Sequence, residues 1–67
     1  MPVVIKGNTY YRTSEACRLA GIARSTLLRW IAADITQDAS SRDRRGWRLF
    51  SQADIERIGA EAEKTLS

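Results

Sequence analysis

The sequence predicts a mainly α-helical fold with a small β component, built from about three helices, an N-terminal hairpin and a second hairpin before the last helix. Apolar residues recur at helical spacing in three stretches, which indicates the helices. Two runs of β-branched and aromatic residues near the N-terminus, and an Arg-rich segment that leads into an apolar run, indicate the hairpins. A chain of 67 residues has room for one domain, which we expect to span residues 1–67.

The N-terminal hairpin is predicted from strand-forming residues at positions 3–5 and 9–11. Gly7 and Asn8 stand between these runs, and both residue types tolerate the positive φ angles of tight hairpin turns. Val4 is expected to reach the core from the first strand.

Two helices are predicted over about residues 13–32, where the pattern indicates a helix-turn-helix. Thr13 is a favourable N-cap, and Gly21 ends the first helix because glycine readily adopts the left-handed conformation. Leu27 and Trp30 then lie on one face of the second helix. In a helix-turn-helix, the N-terminal residues of the second helix face the major groove of DNA.

A second hairpin is predicted over about residues 35–50, with Ile35 and Thr36 opposing the strand-like residues 47–50. Four arginines within residues 42–48 repel one another unless something neutralises them, and DNA phosphates would do so. A disordered charged loop is the alternative. The ring of Trp47 is expected to cover the small core rather than to stack on a base.

The third helix is predicted over about residues 52–65, with Ser51 as its cap and Asp54 completing a variant of the capping box. Its buried stripe is expected to comprise Ile55, Ile58, Ala62 and Leu66. The core as a whole is expected to comprise Val4, Leu19, Ile22, Leu27, Trp30, Ile31, Leu49, Ile55 and Ile58.

The composition excludes several classes of function. The chain has no His and a single Cys, Cys17, so it offers no His-based triad, internal disulfide or ordinary zinc site, and no cofactor is expected. Cys17 is expected to be a buried, structural thiol rather than a redox sensor. The carboxylates are scattered and no glycine-rich phosphate loop occurs, so we predict that the chain is not an enzyme. No long apolar segment is present, which predicts a cytoplasmic protein without membrane contact.

The charge is distributed unevenly along the chain. The net charge of +3 conceals a net +4 over residues 12–48 and a net −2 over residues 51–67. Nine of the eleven basic residues are arginine, which is suited to bidentate recognition of phosphates and guanine edges. A basic face opposite an acidic one is typical of a nucleic-acid-binding protein.

Two stretches of the chain resemble the MerR-type winged helix-turn-helix domains. Residues 13–27 read TSEACRLAGIARSTL, like the opening helices of that family, and residues 46–55 read GWRLFSQADI, like its wing strand and following helix. Residues 26–30 are closer to the small excisionase-like branch of the superfamily. The resemblance covers roughly residues 9–58.

This resemblance implies a DNA-binding protein whose second helix enters the major groove and whose wing contacts the backbone or the minor groove. Arg24 and Ser25 fall where the family contacts bases and phosphates, Arg29 falls at a backbone contact, and Arg48 matches the Arg of the wing motif. Together with the arginine run, the expected DNA-binding residues are Thr13, Arg24, Ser25, Thr26, Arg29, Arg42, Arg44, Arg45, Trp47 and Arg48.

The chain also departs from the family. Ala23 occupies a place often held by a capping Ser or Asp, and Asp34 stands where a glycine often ends the second helix. The long dimerising helix and the effector domain of full-length MerR regulators have no counterpart, so effector sensing and coiled-coil dimerisation do not carry over, and no small-molecule ligand is expected. Self-association on DNA, or a partner that supplies dimerisation, stays open.

The sequence thus predicts a sequence-specific binder of double-stranded DNA, most simply a small transcriptional regulator in a prokaryotic or phage-like nucleoid. One alternative is an excisionase-like or phage DNA-packaging recognition factor, which uses the same domain. An alternative of another class is a winged helix that docks protein partners and does not bind DNA; this alternative predicts no salt-dependent affinity for DNA.

Overall fold

The computed structural model describes the backbone of residues 2–66 and the side chains of residues 2–64. Three helices pack with one four-stranded antiparallel sheet, so the fold mixes α and β structure. The elements in chain order are β1 (Val3–Ile5), β2 (Asn8–Tyr11), α1 (Thr13–Ala20), α2 (Arg24–Ala32), β3 (Ser41–Arg42), β4 (Arg48–Ser51) and α3 (Gln52–Leu66). No helix among these described residues is both long and apolar enough to cross a membrane.

Strand β4 joins the two hairpins into one sheet, in the order β1-β2-β4-β3. Tyr11 of β2 pairs with Phe50 of β4, and Leu49 of β4 pairs with Ser41 of β3. This pairing of β2 with β4 was not expected from the sequence. It fixes the second hairpin beside the start of α1, because α1 begins directly after β2.

The turn of the N-terminal hairpin lies one residue earlier than predicted. Lys6 and Gly7 have positive φ angles of 52° and 81°, the conformation of a two-residue type I′ turn. Asn8 therefore belongs to β2, where it pairs with Ile5.

The prediction that Ile35 and Thr36 form a strand is wrong, since β4 pairs instead with Ser41–Arg42. Asp34 adopts the left-handed conformation expected at the end of α2, with φ of 62°. The Ile35 N–H then donates to the Trp30 carbonyl at 2.8 Å, so this donor closes the helix end and is not free for a strand ladder. Thr36 is buried, whereas Ile35 is half exposed.

The helix ends follow the sequence in part. Gly21 ends α1 as predicted, with φ of 79° and its N–H directed at the last carbonyls of the helix. Thr13 is not the N-cap: Arg12 holds that position without a side-chain cap, and Thr13 is the first helical residue. Ala23 likewise begins α2 without a side-chain cap.

The capping box predicted at the start of α3 is confirmed. The Asp54 N–H donates to Ser51 Oγ at 3.1 Å, and the Ser51 N–H donates to the Asp54 carboxylate at 2.9 Å. Each of these side chains therefore satisfies a backbone donor that the helix itself leaves without a partner.

The core lies where α1, α2 and α3 meet β4. Five of the predicted core residues are buried, namely Leu27, Trp30, Leu49, Ile55 and Ile58. Ile22 and Ile31 are partly exposed and pack against the core. Phe50, Ala16, Cys17 and Ala62 complete the buried set. The predicted contribution of Leu66 lies outside the described side chains.

Two predicted core residues are exposed. Val4 is 67% exposed because β1 is an outer strand of the sheet, separated by β2 from the strand that reaches the core. Leu19 is 53% exposed, because α1 presents Ala16 and Cys17 to the core. Phe50 was not expected in the core but is fully buried there.

We expect Leu27→Ala to lower the free energy of unfolding by about 2–5 kcal/mol, because it opens a cavity at a fully buried position. The same change at exposed Leu19 is expected to cost less than about 0.5 kcal/mol. Urea denaturation followed by circular dichroism measures both. Equal losses in the two variants would contradict this core.

Candidate nucleic-acid interface

An open cleft of about 500 Å³ lies between the N-terminal ends of α1 and α2 and the β3–β4 hairpin. We call it the arginine cleft, since four of its eight lining residues are arginine. It is lined by Arg12, Thr13, Ser14, Arg24, Arg42, Gly46, Trp47 and Arg48. Of the residues predicted to bind DNA, Thr13, Arg24, Arg42, Trp47 and Arg48 are thus brought together here.

The end of the β3–β4 hairpin is a tight, well-bonded turn. The Gly46 N–H donates to the Asp43 carbonyl and the Asp43 N–H donates to the Trp47 carbonyl, each at 3.0 Å. Gly46 has φ of 82°, so the loop has the form of a β-turn followed by a left-handed residue. This geometry places Arg44 and Arg45 at the outermost point of the hairpin, where both are exposed. We call these two residues the hairpin tip.

Asp43 organises the hairpin tip from inside. One of its carboxylate oxygens accepts the backbone N–H groups of Arg45 at 2.9 Å and Trp47 at 3.0 Å. The other pairs with the Arg12 guanidinium at 2.5 Å. The hydrogen bond from Arg12, followed by that from the Trp47 N–H, lowers the pKa of Asp43. The carboxylate therefore ties the turn to the start of α1.

Asp38 neutralises the two arginines at the base of the hairpin. It pairs with Arg48 Nε at 2.6 Å and with the Arg42 guanidinium at 3.2 Å. Burial by itself would raise the pKa of Asp38, but the hydrogen bonds from Arg48 and the Ala39 N–H and the charges of both arginines together lower it. The repulsion expected within the arginine run is therefore relieved partly inside the protein, by Asp38 and Asp43.

Trp47 does not cover the core as predicted: its side chain is 58% exposed. Trp30, which was predicted in the core, and Phe50, which was not, are both buried, whereas Trp47 follows the left-handed Gly46 just before β4 begins. The guanidinium carbons of Arg12 and Arg45 each lie 5.9 Å from the Trp47 ring centroid, within the range of cation–π attraction.

The predicted contact residues of α2 lie on its outer surface or close to it. Arg24, Ser25 and Arg29 are exposed and Thr26 is half buried. Within residues 2–64, the guanidinium groups of Arg24 and Arg29 make no hydrogen bond or ion pair. Of these four residues Arg24 alone lines the arginine cleft, so α2 and the hairpin meet at its side chain.

The acidic residues of α3 belong to another surface. Glu56 and Glu63 line a groove between α1 and α3 that shares no residue with the arginine cleft. Cys17 is buried as predicted, and burial raises the pKa of its thiol more than the nearby charge of Arg24 lowers it. The thiol is therefore neutral and lies within the core cluster.

Four residues of this site were not singled out from the sequence: Arg12, Ser14, Asp38 and Gly46. Arg12 and Asp43 are 31 positions apart, and no periodic pattern relates them. The one local signal was the position of Arg12 directly before a predicted helix start, where a side chain lies beside the first turn. No known protein family, curated protein or solved structure matches this chain.

Proposed function

We propose that this chain is a winged helix-turn-helix protein that binds double-stranded DNA in a sequence-specific manner, as a small MerR-like regulator. The observation that carries the proposal is the arginine cleft, in which the residue that precedes α1, the start of α2 and the β3–β4 hairpin each contribute arginine around one concavity. Clustered arginines on a single face provide the electrostatic attraction that the DNA backbone requires.

In this proposal α2 lies in the major groove. Its N-terminal residues Arg24 and Ser25 are exposed, and the Arg24 guanidinium has no partner within residues 2–64 that would have to be displaced. A bidentate Arg–guanine contact supplies sequence discrimination, while Arg29 and Thr26 support the helix on phosphates. The bases are thus read chiefly by Arg24.

The β3–β4 hairpin acts as the wing. Arg44 and Arg45 project from the turn and contact the backbone or the minor groove. Arg42 and Arg48 already pair with Asp38, so they contribute less to phosphate binding than the sequence predicted and serve mainly to brace the wing. One module of this size covers about 600–1,000 Å² on DNA, so tight binding requires several copies on one site.

The experiment that tests this function is selection of bound sequences from a random duplex pool at low salt. We expect enrichment of a defined site by the natural protein. Arg24→Ala is expected to relax the preference at one position, by about 1–3 kcal/mol of discrimination. Arg18→Ala is the matched control, because Arg18 is an exposed arginine on α1 that does not line the cleft.

The selection separates the classes of function. Failure of the natural protein to enrich any sequence at low salt, and to retain duplex at all, would overturn the DNA-binding proposal and favour the protein-docking alternative. If Arg18→Ala and Arg24→Ala lose sequence preference to the same extent, the bases are not read by the side chain of Arg24 on α2.

A further inference from the structure

Trp47 is the one aromatic residue among the mostly exposed large apolar side chains of the described chain. Its indole stands at the rim of the arginine cleft, beside the hairpin tip. Tryptophan is enriched where macromolecules meet, because its ring combines a large apolar surface with a polar N–H group. The position of the ring suits a partner that offers an apolar contact beside negative charge.

The ring is attached to a rigid support. The Trp47 N–H donates to the Asp43 carboxylate, and the Trp47 carbonyl accepts the Asp43 N–H, both at 3.0 Å. The backbone of Trp47 is therefore held by hydrogen bonds at both its N–H and its carbonyl. The Arg12 and Arg45 guanidiniums flank the ring at 5.9 Å. Because the backbone that carries the ring is already held in place, less conformational entropy is lost when the ring makes a contact.

We infer that Trp47 is a wedge that enters the minor groove and inserts its indole between two adjacent base pairs, unstacking and bending the duplex. The inference rests on the proposed binding of double-stranded DNA and adds a residue that selects for deformable steps. Apolar side chains that insert in this way kink the duplex, and pyrimidine–purine steps yield most easily. Arg45, which forms no ion pair within residues 2–64, accompanies the ring into the groove and offsets phosphate charge, whereas Arg12 stays paired with Asp43 and holds the turn in place.

A single-stranded partner fits the structure less well. Proteins that bind single strands stack successive bases on several aromatic side chains. Here the other candidates, Tyr10 and Tyr11, are half buried in β2, and neither lines the arginine cleft. One exposed ring beside a cationic tip is suited to a single insertion rather than to a row of stacked bases.

The test uses a short duplex with one central TA step, whose adenine is replaced by 2-aminopurine, and with a dye at each end. Anisotropy reports binding, energy transfer between the ends reports bending, and 2-aminopurine emission reports unstacking. The full chain is expected to raise the 2-aminopurine signal and shorten the end-to-end distance. Trp47→Ala is expected to bind more weakly and to lose both signals.

Two further variants keep the test informative. Trp47→Leu retains an apolar side chain and is expected to keep most of the bend, whereas Ile35→Ala removes an exposed apolar side chain away from the cleft and is expected to behave as the natural protein. If Trp47→Ala bends and unstacks the duplex as much as the natural protein does, the proposed role of Trp47 as a wedge is overturned, while the proposal of DNA binding is unaffected. Tighter binding to the separated single strand, with quenching of Trp47, would also overturn it. Absence of any anisotropy change for the natural protein at low salt would contradict the proposed function itself.

Discussion

Asp54→Ala is expected to remove about 3 kcal/mol or more from the free energy of unfolding. The Asp54 side chain is almost wholly buried, and its carboxylate accepts hydrogen bonds from Ser40 and Ser51 and pairs with Arg57 at 2.8 Å. Removing the carboxylate leaves these donors without their acceptor. A domain of this length has a total stability of roughly 3–10 kcal/mol, so a large share of it would be lost.

The same substitution is expected to disturb the hairpin. Ser40 directly precedes β3, and its N–H and hydroxyl bond to Asp54 at 3.1 and 2.7 Å. Asp54 therefore anchors the base of the hairpin to the start of α3. Thermal denaturation measures the stability loss, and Glu56→Ala, at an exposed position on the same helix, is the control that should stay within about 0.5 kcal/mol of the natural protein. Equal melting of the two variants would contradict this role.

The charge of Asp54 also makes the free energy of unfolding depend on pH in the acid range. Burial alone would raise the pKa of Asp54, but the hydrogen bonds from Ser51, Ser40 and Arg57 outweigh burial and lower it from 3.8 to about 2. The unfolded chain therefore binds this proton more readily than the folded one, and stability is lost as the pH falls. The contribution, about 2 kcal/mol above pH 4, disappears between about pH 4 and pH 2. Asp54→Asn is expected to flatten this part of the stability profile, and an unchanged profile would place the acid-sensitive group elsewhere.

Arg44→Gln/Arg45→Gln is expected to weaken binding to all duplex sequences alike and to lower the magnitude of the log–log salt slope by about 2, because each phosphate contact contributes about 0.9. Both residues lie at the outermost point of the hairpin, and neither guanidinium forms an ion pair within the described chain. Fluorescence anisotropy titrations over a series of salt concentrations measure the slope.

The control removes the same charge from another surface. Lys6→Gln/Arg18→Gln changes two exposed basic residues that do not line the arginine cleft. It is expected to leave most of the slope in place, since charges farther than about a Debye length from the contact are screened. A smaller slope in this control, with no change in the tip variant, would mean that DNA lies on a face other than the hairpin.

The local parts of this fold could be predicted from the sequence. Gly21 at the end of α1, the Ser51–Asp54 capping box and the buried Leu27 and Trp30 all depend on residues within one or two helical turns of each other. Such features follow from backbone sterics and helical periodicity, which act over a few residues. The exposed start of α2 at Arg24 was predictable for the same reason.

The candidate site was predictable in composition but not in arrangement. The arginines of residues 42–48 and Trp47 were identified as a group, but Arg12 was missed. The sequence also did not separate Arg42 and Arg48, which pair with Asp38, from the hairpin tip, whose arginines form no ion pair within the described residues. Ion-pair choice depends on which side chains approach within a few ångströms. That distance is set by the register of β3 against β4, and the sequence pattern had assigned the wrong opposing strand.

By itself, the sequence determined three helices, the glycine that ends α1, the capping box of α3 and a basic middle segment, because propensity, periodicity and charge are local properties. Only the tertiary structure decided that β2 pairs with β4, that Arg12 meets Asp43 across 31 positions, and that the indole of Trp47 stays in solvent. The first two join residues that lie far apart in the sequence, which local patterns cannot relate. In the third, Phe50 is fully buried in the core, and the ring that the sequence placed inside lies at the rim of the arginine cleft.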